Sequence, residues 1–155
     1  MSTNLKKGMK APAFTIADQD GNMVSLSDYA GKKVALYFYP KDNTPGCTEQ
    51  ACNLRDNFAK LKKKGVVILG VSVDSMKKHK NFEQKYSLPF TLLADTEHTL
   101  VNAYGVWGEK KMFGRAYMGI FRTTFLIDEK GKIAGIIDQV DTKDHAQQII
   151  DEWGL

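Results

Sequence analysis

The chain has 155 residues, of which 43% are hydrophobic and 26% charged, with a net charge of +4 and two cysteines. This length is typical of one globular domain, which we expect to span residues 1–155, and two cysteines are too few for a secreted disulfide scaffold. The polar segment 1–10 is unlike a signal peptide, and no apolar run suggests a membrane span. The sequence predicts a soluble cytoplasmic protein.

The positive charge does not by itself indicate an anionic partner. Lysine is favoured near helix C-termini and is otherwise solvated on polar helix faces. The clustered lysines fall in such places and comprise Lys60, Lys62, Lys63, Lys64, Lys77, Lys78 and Lys80. We therefore expect neither a nucleic acid nor a membrane as a partner.

The first elements are predicted to be a hairpin and a buried strand. Apolar residues at 14–16 and 23–26 flank Asp18–Asn22, a polar segment typical of a turn. Ser27 and Asp28 are expected to open a short helical turn. Val34–Tyr39 is an unbroken apolar and aromatic run, as expected for a strand buried on both faces.

The stretch Pro40–Cys52 holds both cysteines and contains the start of a helix. Thr44 is a good N-cap residue, Pro45 suits the first helical position, and Gly46 allows a close approach of the backbone. The predicted helix runs from about 45 to 64 and ends at Gly65. Its apolar stripe consists of Cys47, Ala51, Leu54, Phe58 and Leu61.

The two cysteines have different positions on this helix. Cys47 falls in the first turn, where free N–H groups and the helix dipole favour a thiolate. Cys52 is rotated from it by about 140° and lies off the apolar stripe. Free cysteine is often an ordinary buried residue. Here the strand end, the cap and the first-turn position coincide, which favours a reactive Cys47 with Cys52 as its partner thiol.

The order of the remaining elements indicates an α/β fold. They are a strand 66–73, a helix opened by Asp74 and Ser75, a strand 90–93, a helix from Thr96 to Tyr104, a loop 107–119, strands 122–127 and 133–137, and a closing helix opened by Thr142. This is the order of a thioredoxin-like fold, in which helices flank a central mixed β-sheet, with an N-terminal hairpin as an extension. Chemistry in such sheets gathers at the carboxyl ends of strands, and Pro40–Cys47 follows such an end.

These residues resemble a known family. The segment Pro40-Lys-Asp-Asn-Thr44-Pro-Gly-Cys47 is similar to the Pro-x-x-x-Thr-x-x-Cys signature of the peroxiredoxins, and Arg122 matches the arginine that this family pairs with it. The segments Thr-Pro-Gly-Cys-Thr-x-Gln-Ala-Cys and Gly105–Lys110 resemble the bacterioferritin comigratory protein branch, also called the Q type. The likeness extends from about Gly8 to the end of the chain.

The resemblance implies a thiol-specific peroxidase of antioxidant defence that reduces hydrogen peroxide and organic hydroperoxides. A thiolate at Cys47 would attack the peroxide, and Arg122 would stabilise the charge that develops. The hydroxyl of Thr44 would both accept a hydrogen bond from the peroxide and donate one. Pro40 would cover the thiol against water. The product is a sulfenic acid at Cys47, with which Cys52 can condense to a disulfide.

The resemblance also implies what acts with the chain. Thioredoxin or a similar dithiol would reduce the disulfide, which makes the chain a thioredoxin-dependent, atypical two-cysteine peroxiredoxin. This chemistry needs no metal and no cofactor, and we expect a monomer.

Four alternatives belong to other classes. A general disulfide oxidoreductase shares the fold, but its usual motif is Cys-x-x-Cys. A cysteine hydrolase needs a histidine base, whereas His79, His98 and His145 fall on positions expected to be polar and exposed. A zinc site built on the two cysteines and two histidines fails on spacing. A binding module lined by strand aromatics remains, although such aromatics are usually core residues.

Overall fold

The structure is a computed structural model that describes residues 3–155, so the first two residues of the polar N-terminal segment lie outside it. Its strands are β1 Thr15–Ala17, β2 Met23–Ser25, β3 Lys33–Phe38, β4 Val66–Ser72, β5 Thr91–Ala94, β6 Trp107–Met112, β7 Arg115–Ile120, β8 Thr123–Ile127 and β9 Ile133–Ile137. Its helices are α1 Pro45–Asp56, α2 Phe58–Lys63, α3 Met76–Tyr86, α4 Thr99–Ala103 and α5 His145–Trp153.

The central sheet is mixed and has five strands in the order β5-β4-β3-β8-β9. Strands β3, β4 and β5 are parallel, whereas β8 pairs antiparallel with β3 and with β9. Strand β3 lies in the middle, which explains its continuous run of buried side chains. The predicted α/β thioredoxin-like fold is confirmed.

The sheet separates two apolar cores. One core holds alternate β3 side chains, beginning with Ala35 and Tyr37, packed against the inner faces of α1, α2, α3 and α5. The other core holds Val34, Leu36 and Phe38 with residues of α4. Since successive strand residues point to opposite faces, both faces of β3 are covered.

The N-terminal hairpin is also confirmed. Strands β1 and β2 pair antiparallel, with Ile16 opposite Val24. The backbone N–H of Asp18 donates to Asn22 O at 2.9 Å and closes the turn. A 3₁₀ turn at Leu26–Tyr29 follows, but Ser25 opens it rather than Ser27.

The expectation of a loop at 107–119 was wrong. Strands β6 and β7 form an antiparallel hairpin there, and Phe113 and Gly114 at its tip both have positive φ angles of 52° and 78°. Two central residues with positive φ are the geometry of a tight hairpin turn that matches strand twist. Most side chains of the hairpin are exposed, so no apolar alternation marks its strands in the sequence.

The predicted helix 45–64 is divided into α1 and α2. Asn57 separates them with φ −109° and ψ 11°, and its side-chain amide donates to Asn53 O at 2.9 Å. A side chain that bonds to a helix carbonyl in this way competes with the regular ladder. Gly65 ends α2 with a positive φ of 80°, as expected.

Two other helices begin later than predicted. Helix α4 begins at Thr99 rather than Thr96, because the buried carboxylate of Asp95 accepts hydrogen bonds from the N–H groups of Leu100 and Val101. Helix α5 begins at His145. Among residues 3–155, no helix has the length and apolar character that crossing a membrane requires.

Candidate active site

The segment between β3 and α1 lies at the carboxyl edge of the parallel strands. Strand β3 ends at Phe38, and the loop 40–44 leads directly into α1 at Pro45. The strand end and the helix start both depend on signals within a few neighbouring residues. The structure has both of them where the sequence predicted them. This edge is where open α/β sheets place their ligands.

Cys47 is the third residue of α1 and is only 2% exposed. It packs in the same apolar core as Ala51 and Leu54, which confirms the predicted stripe. The first turn of a helix has N–H groups without an intrahelical acceptor. The sulfur atom therefore combines burial with a location that favours negative charge.

Thr44 occupies the N-cap position of α1 but does not cap it with its side chain. Its hydroxyl instead donates to the backbone oxygen of Lys41 at 2.7 Å. Because that hydrogen is engaged within the loop, the Thr44 oxygen can act toward another group only as an acceptor. The expectation that it both donates and accepts is reduced to acceptance.

Arg122 reaches the thiol across the sheet. Phe38 pairs with Thr123, so Arg122 lies just beyond the end of β3. Its Nη2 atom donates to Cys47 Sγ at 3.4 Å, and its Nη1 atom donates to Gln50 Oε1 at 2.6 Å. The structure thus brings together two residues 75 positions apart in the chain.

Gly46 explains how the guanidinium comes so close to the backbone. A Cβ atom at this position would lie 3.2 Å from Arg122 Nη2, tighter than ordinary van der Waals contact. The absence of a side chain at Gly46 thus leaves room for the guanidinium.

Cys52 and Pro40 are the other two residues that the sequence predicted for the site. Both are half-buried, and Cys52 is in the middle of α1. Both cysteines are free thiols and are not at disulfide distance. Pro40 lies two residues after the end of β3, in the loop that leads to α1.

Three residues near the thiol were not found from the sequence. Gln50 accepts from Arg122 and follows Cys47 by one helical turn, so a polar residue on the buried face of α1 was the available signal. Lys110 comes from the β6–β7 hairpin, where burial and the charge of Arg122 lower its pKa. Burial, with the charges of Cys47 and Asp42, raises the pKa of Tyr37 well above its usual range, so its hydroxyl stays neutral.

Two of these residues carry polar atoms without a partner. In residues 3–155, the buried side-chain atoms without a hydrogen bond are Tyr37 Oη and Gln50 Nε2. Buried polar groups are normally satisfied. Both residues lie close to Cys47. Each therefore leaves a buried hydrogen-bond donor without a partner near the thiol.

The expectation that the histidines are exposed was wrong for two of the three. His79 and His145 have no exposed surface, whereas His98 is half-buried. His145 bonds to Thr124 and Gln148, and burial lowers its pKa. His79 bonds to Asp42 at 2.6 Å.

Comparison with known proteins identifies the family. The sequence profile of the AhpC/TSA family matches residues 7–136. Peroxiredoxin Bcp of Escherichia coli strain K12 is 49% identical over 146 residues, which cover 94% of each chain.

Solved structures have the same fold. A mutant of PrxQ from Xylella fastidiosa has a TM-score of 0.92 at 30% identity, covering 99% of this chain and 98% of that one. The bacterioferritin comigratory protein of Xanthomonas campestris, described with alkyl peroxide reduction activity, has a TM-score of 0.86 at 32% identity over the same shares. The chain therefore belongs to the AhpC/TSA family and is a peroxiredoxin, a thiol peroxidase of antioxidant defence.

Proposed function

We propose that the chain reduces hydrogen peroxide and organic hydroperoxides through a sulfenic acid at Cys47. The observation that carries this proposal is the contact of 3.4 Å between the Arg122 guanidinium and a buried thiol at a helix start. The activity described for the Xanthomonas campestris protein supports organic hydroperoxides as substrates. Consumption of hydrogen peroxide by the reduced protein tests it.

In the proposed reaction the Cys47 thiolate attacks one peroxide oxygen in line with the oxygen–oxygen bond. A sulfur–oxygen bond forms, the oxygen–oxygen bond breaks, and the attacked oxygen keeps its hydrogen as sulfenic acid. The other oxygen leaves with the electron pair and takes a proton from solvent. Arg122 and the first-turn N–H groups stabilise the negative charge before and during this transfer.

The remaining site residues orient the peroxide and protect the thiol. The Thr44 oxygen accepts a hydrogen bond from the peroxide, since its own hydrogen is engaged with Lys41. Gln50 holds the guanidinium through its bond of 2.6 Å. Pro40 limits the access of water to Cys47.

Replacing Arg122 tests the charge stabilisation. We expect Arg122→Ala to slow the reaction with hydrogen peroxide by about 10²–10³-fold, as when one transition-state donor is removed. Stopped-flow kinetics of the reduced protein measures the rate constant. Arg115→Ala is the matched control, because Arg115 is exposed near the hairpin tip. An unchanged rate for Arg122→Ala would remove Arg122 from the mechanism.

The second proposed step joins Cys47 and Cys52 in a disulfide. Both lie in α1, and five residues of regular helix separate their Cα atoms by about 8.6 Å. A disulfide needs them within about 7 Å with converging side chains. The first turns of α1 must therefore unwind after each oxidation, at a net cost of about 1 kcal/mol for each hydrogen bond broken.

Unwinding of α1 also releases contacts to the start of α5. The Asn53 side chain donates to Lys143 O at 2.9 Å and accepts from the N–H of Ala146 at 2.8 Å. Glu49 accepts from the Thr142 hydroxyl at 2.6 Å. Loss of these contacts leaves the first turn of α5 without its partner from α1.

Hydrogen exchange tests this conformational step. We expect amide hydrogens from Cys47 to Asp56, and those at the start of α5, to exchange much faster in the disulfide form than in the reduced form. Helix α2, which begins beyond the break at Asn57, should change less. Helix α3 serves as the internal reference. Equal protection of α1 in both forms, with the disulfide confirmed by mass, would contradict the unwinding.

We further propose that thioredoxin or a similar dithiol reduces the disulfide by thiol exchange. The unwound α1 supports this step, since it exposes a disulfide that a partner thiol must reach. The functional unit is proposed to be a single-domain monomer of residues 1–155 that acts in the cytoplasm.

A further inference from the structure

A buried histidine outside the thiol site links α3 to the loop 40–44. His79 has no exposed surface, and both of its ring nitrogens face acceptors. Its Nδ1 lies 2.6 Å from Asp42 Oδ2, and its Nε2 lies 2.9 Å from the backbone oxygen of Leu93. A carbonyl oxygen only accepts, so Nε2 carries a hydrogen, and a second hydrogen must lie between Nδ1 and the carboxylate.

Asp42 is held by several further bonds. Its Oδ1 accepts from the Tyr39 hydroxyl at 2.5 Å, and its backbone N–H donates to Asp74 Oδ2 at 2.8 Å. That Asp74 oxygen also accepts from the Ser72 hydroxyl at 2.7 Å. Because Asp42 is only 6% exposed, loss of one partner leaves a buried polar group uncompensated.

The cluster could also be considered as a metal site. Asp42, Asp74 and His79 place ligand atoms within 4.8 Å of one another. Those atoms, however, already have hydrogen-bond partners. Asp42 and His79 bond to each other, and they also bond to Tyr39 and to the Leu93 carbonyl respectively. Asp74 accepts from Ser72 and from the backbone N–H of Asp42. These hydrogen bonds hold the backbone of loop 40–44 in place.

The loop that the cluster holds needs outside support. Asn43 has a φ of 61°, in the left-handed region that residues other than glycine adopt rarely. Such a conformation persists where surrounding contacts determine it. Asp42 precedes Asn43 directly and lies two residues from both Pro40 and Thr44.

We propose that Asp42 and His79 are positioning residues for peroxide reduction. Their buried hydrogen bond fixes loop 40–44 against α3, and so places Thr44 and Pro40 at the start of the helix that carries Cys47. The inference rests on the proposed function of Cys47. His79 acts through the loop, by holding Asp42 in place.

Comparing two reaction rates of Cys47 shows whether a variant disturbs the position of the loop or the reactivity of the thiol itself. In a Cys52→Ser background, mass spectrometry follows the reaction of Cys47 with hydrogen peroxide and with iodoacetamide. Peroxide needs the oriented loop, whereas alkylation needs only an accessible thiolate. We expect Asp42→Ala and His79→Leu to slow the peroxide reaction by about 10- to 100-fold, as misplacement of about 1 Å does, and to change alkylation less than about threefold.

Asp42→Asn provides a conservative rescue. The amide oxygen still accepts from Tyr39, and the amide nitrogen donates to a neutral His79 whose Nε2 keeps its hydrogen for Leu93. Every hydrogen bond is thus preserved without charge. We expect its peroxide rate to stay within about threefold of the parent, since the geometry of the loop is kept.

Leu100→Ala controls for a general loss of stability. Leu100 is buried on α4, on the sheet face opposite α1, so this change should lower the melting temperature without altering the ratio of the two rates. Equal losses of both rates in Asp42→Ala, or equal losses in Asp42→Ala and Asp42→Asn, would overturn the proposal. If His79→Leu does not fold, the two Asp42 variants decide.

Different results would refute the positioning role of Asp42 and His79 and the peroxidase function of Cys47. Peroxide reduction that survives Cys47→Ser would refute the function itself. An inactive Cys47→Ser, combined with native peroxide rates in Asp42→Ala and His79→Leu, would refute only the positioning role.

Discussion

Cys47→Ser is expected to abolish peroxide reduction. A serine hydroxyl is not ionised at neutral pH and forms no sulfenic acid, so the variant lacks the sulfur atom proposed to accept the peroxide oxygen. Hydrogen peroxide consumption in the presence of thioredoxin, thioredoxin reductase and NADPH should fall to the rate without protein.

The chain offers a matched control for this change. Cys52→Ser makes the same chemical replacement five residues further along α1, and it should keep the first reaction with peroxide. A thermal melt shows whether Cys47→Ser remains folded. Sustained peroxide turnover by folded Cys47→Ser would contradict the mechanism.

Cys52→Ser is expected to react once with peroxide and then lose most of its thioredoxin-supported turnover. Without a second thiol the sulfenic acid at Cys47 cannot condense to an intramolecular disulfide. Excess peroxide should then oxidise it further to sulfinic acid, more readily than in the unchanged protein.

Steady-state kinetics and mass spectrometry check both parts of this prediction. The coupled thioredoxin assay gives the turnover, and the mass of the Cys47 peptide gives its oxidation state. Normal thioredoxin-supported turnover in Cys52→Ser would mean that Cys52 is not the resolving thiol.

The first part of the candidate active site could be predicted because its signals are local. A buried strand, a threonine at the N-cap, a proline at the first helical position and an apolar stripe lie within a few residues of one another. The structure has β3, Pro45 and Cys47 where these signals indicated. The local sequence signals thus predict the observed positions of β3 and of the start of α1.

The contact of Arg122 with Cys47 could not be predicted from local pattern. It depends on the antiparallel pairing of β8 with β3, which places Thr123 opposite Phe38. An arginine at the start of a strand is usually solvated, and only the family resemblance indicated its role. Gln50 was missed for a related reason, since its partner Arg122 is 72 residues away.

The buried histidines illustrate how tertiary contacts override local polarity. His79 lies in a helix rich in charged residues, which suggested an exposed position. Its burial depends on Asp42, 37 residues earlier, and on the Leu93 carbonyl. A polar side chain is stable in the core when it has hydrogen-bond partners there. Because these partners are distant in sequence, the spacing of residues does not reveal them.

In the proposed reaction, a peroxide oxygen is transferred to the Cys47 sulfur. The most direct test of this transfer is intact-mass and peptide mass spectrometry of reduced Cys52→Ser after one equivalent of hydrogen peroxide, with dimedone present to trap sulfenic acid. We expect one dimedone adduct per chain, located at Cys47. An unmodified Cys47, with the peroxide unconsumed or its oxygen found on methionine, would contradict it.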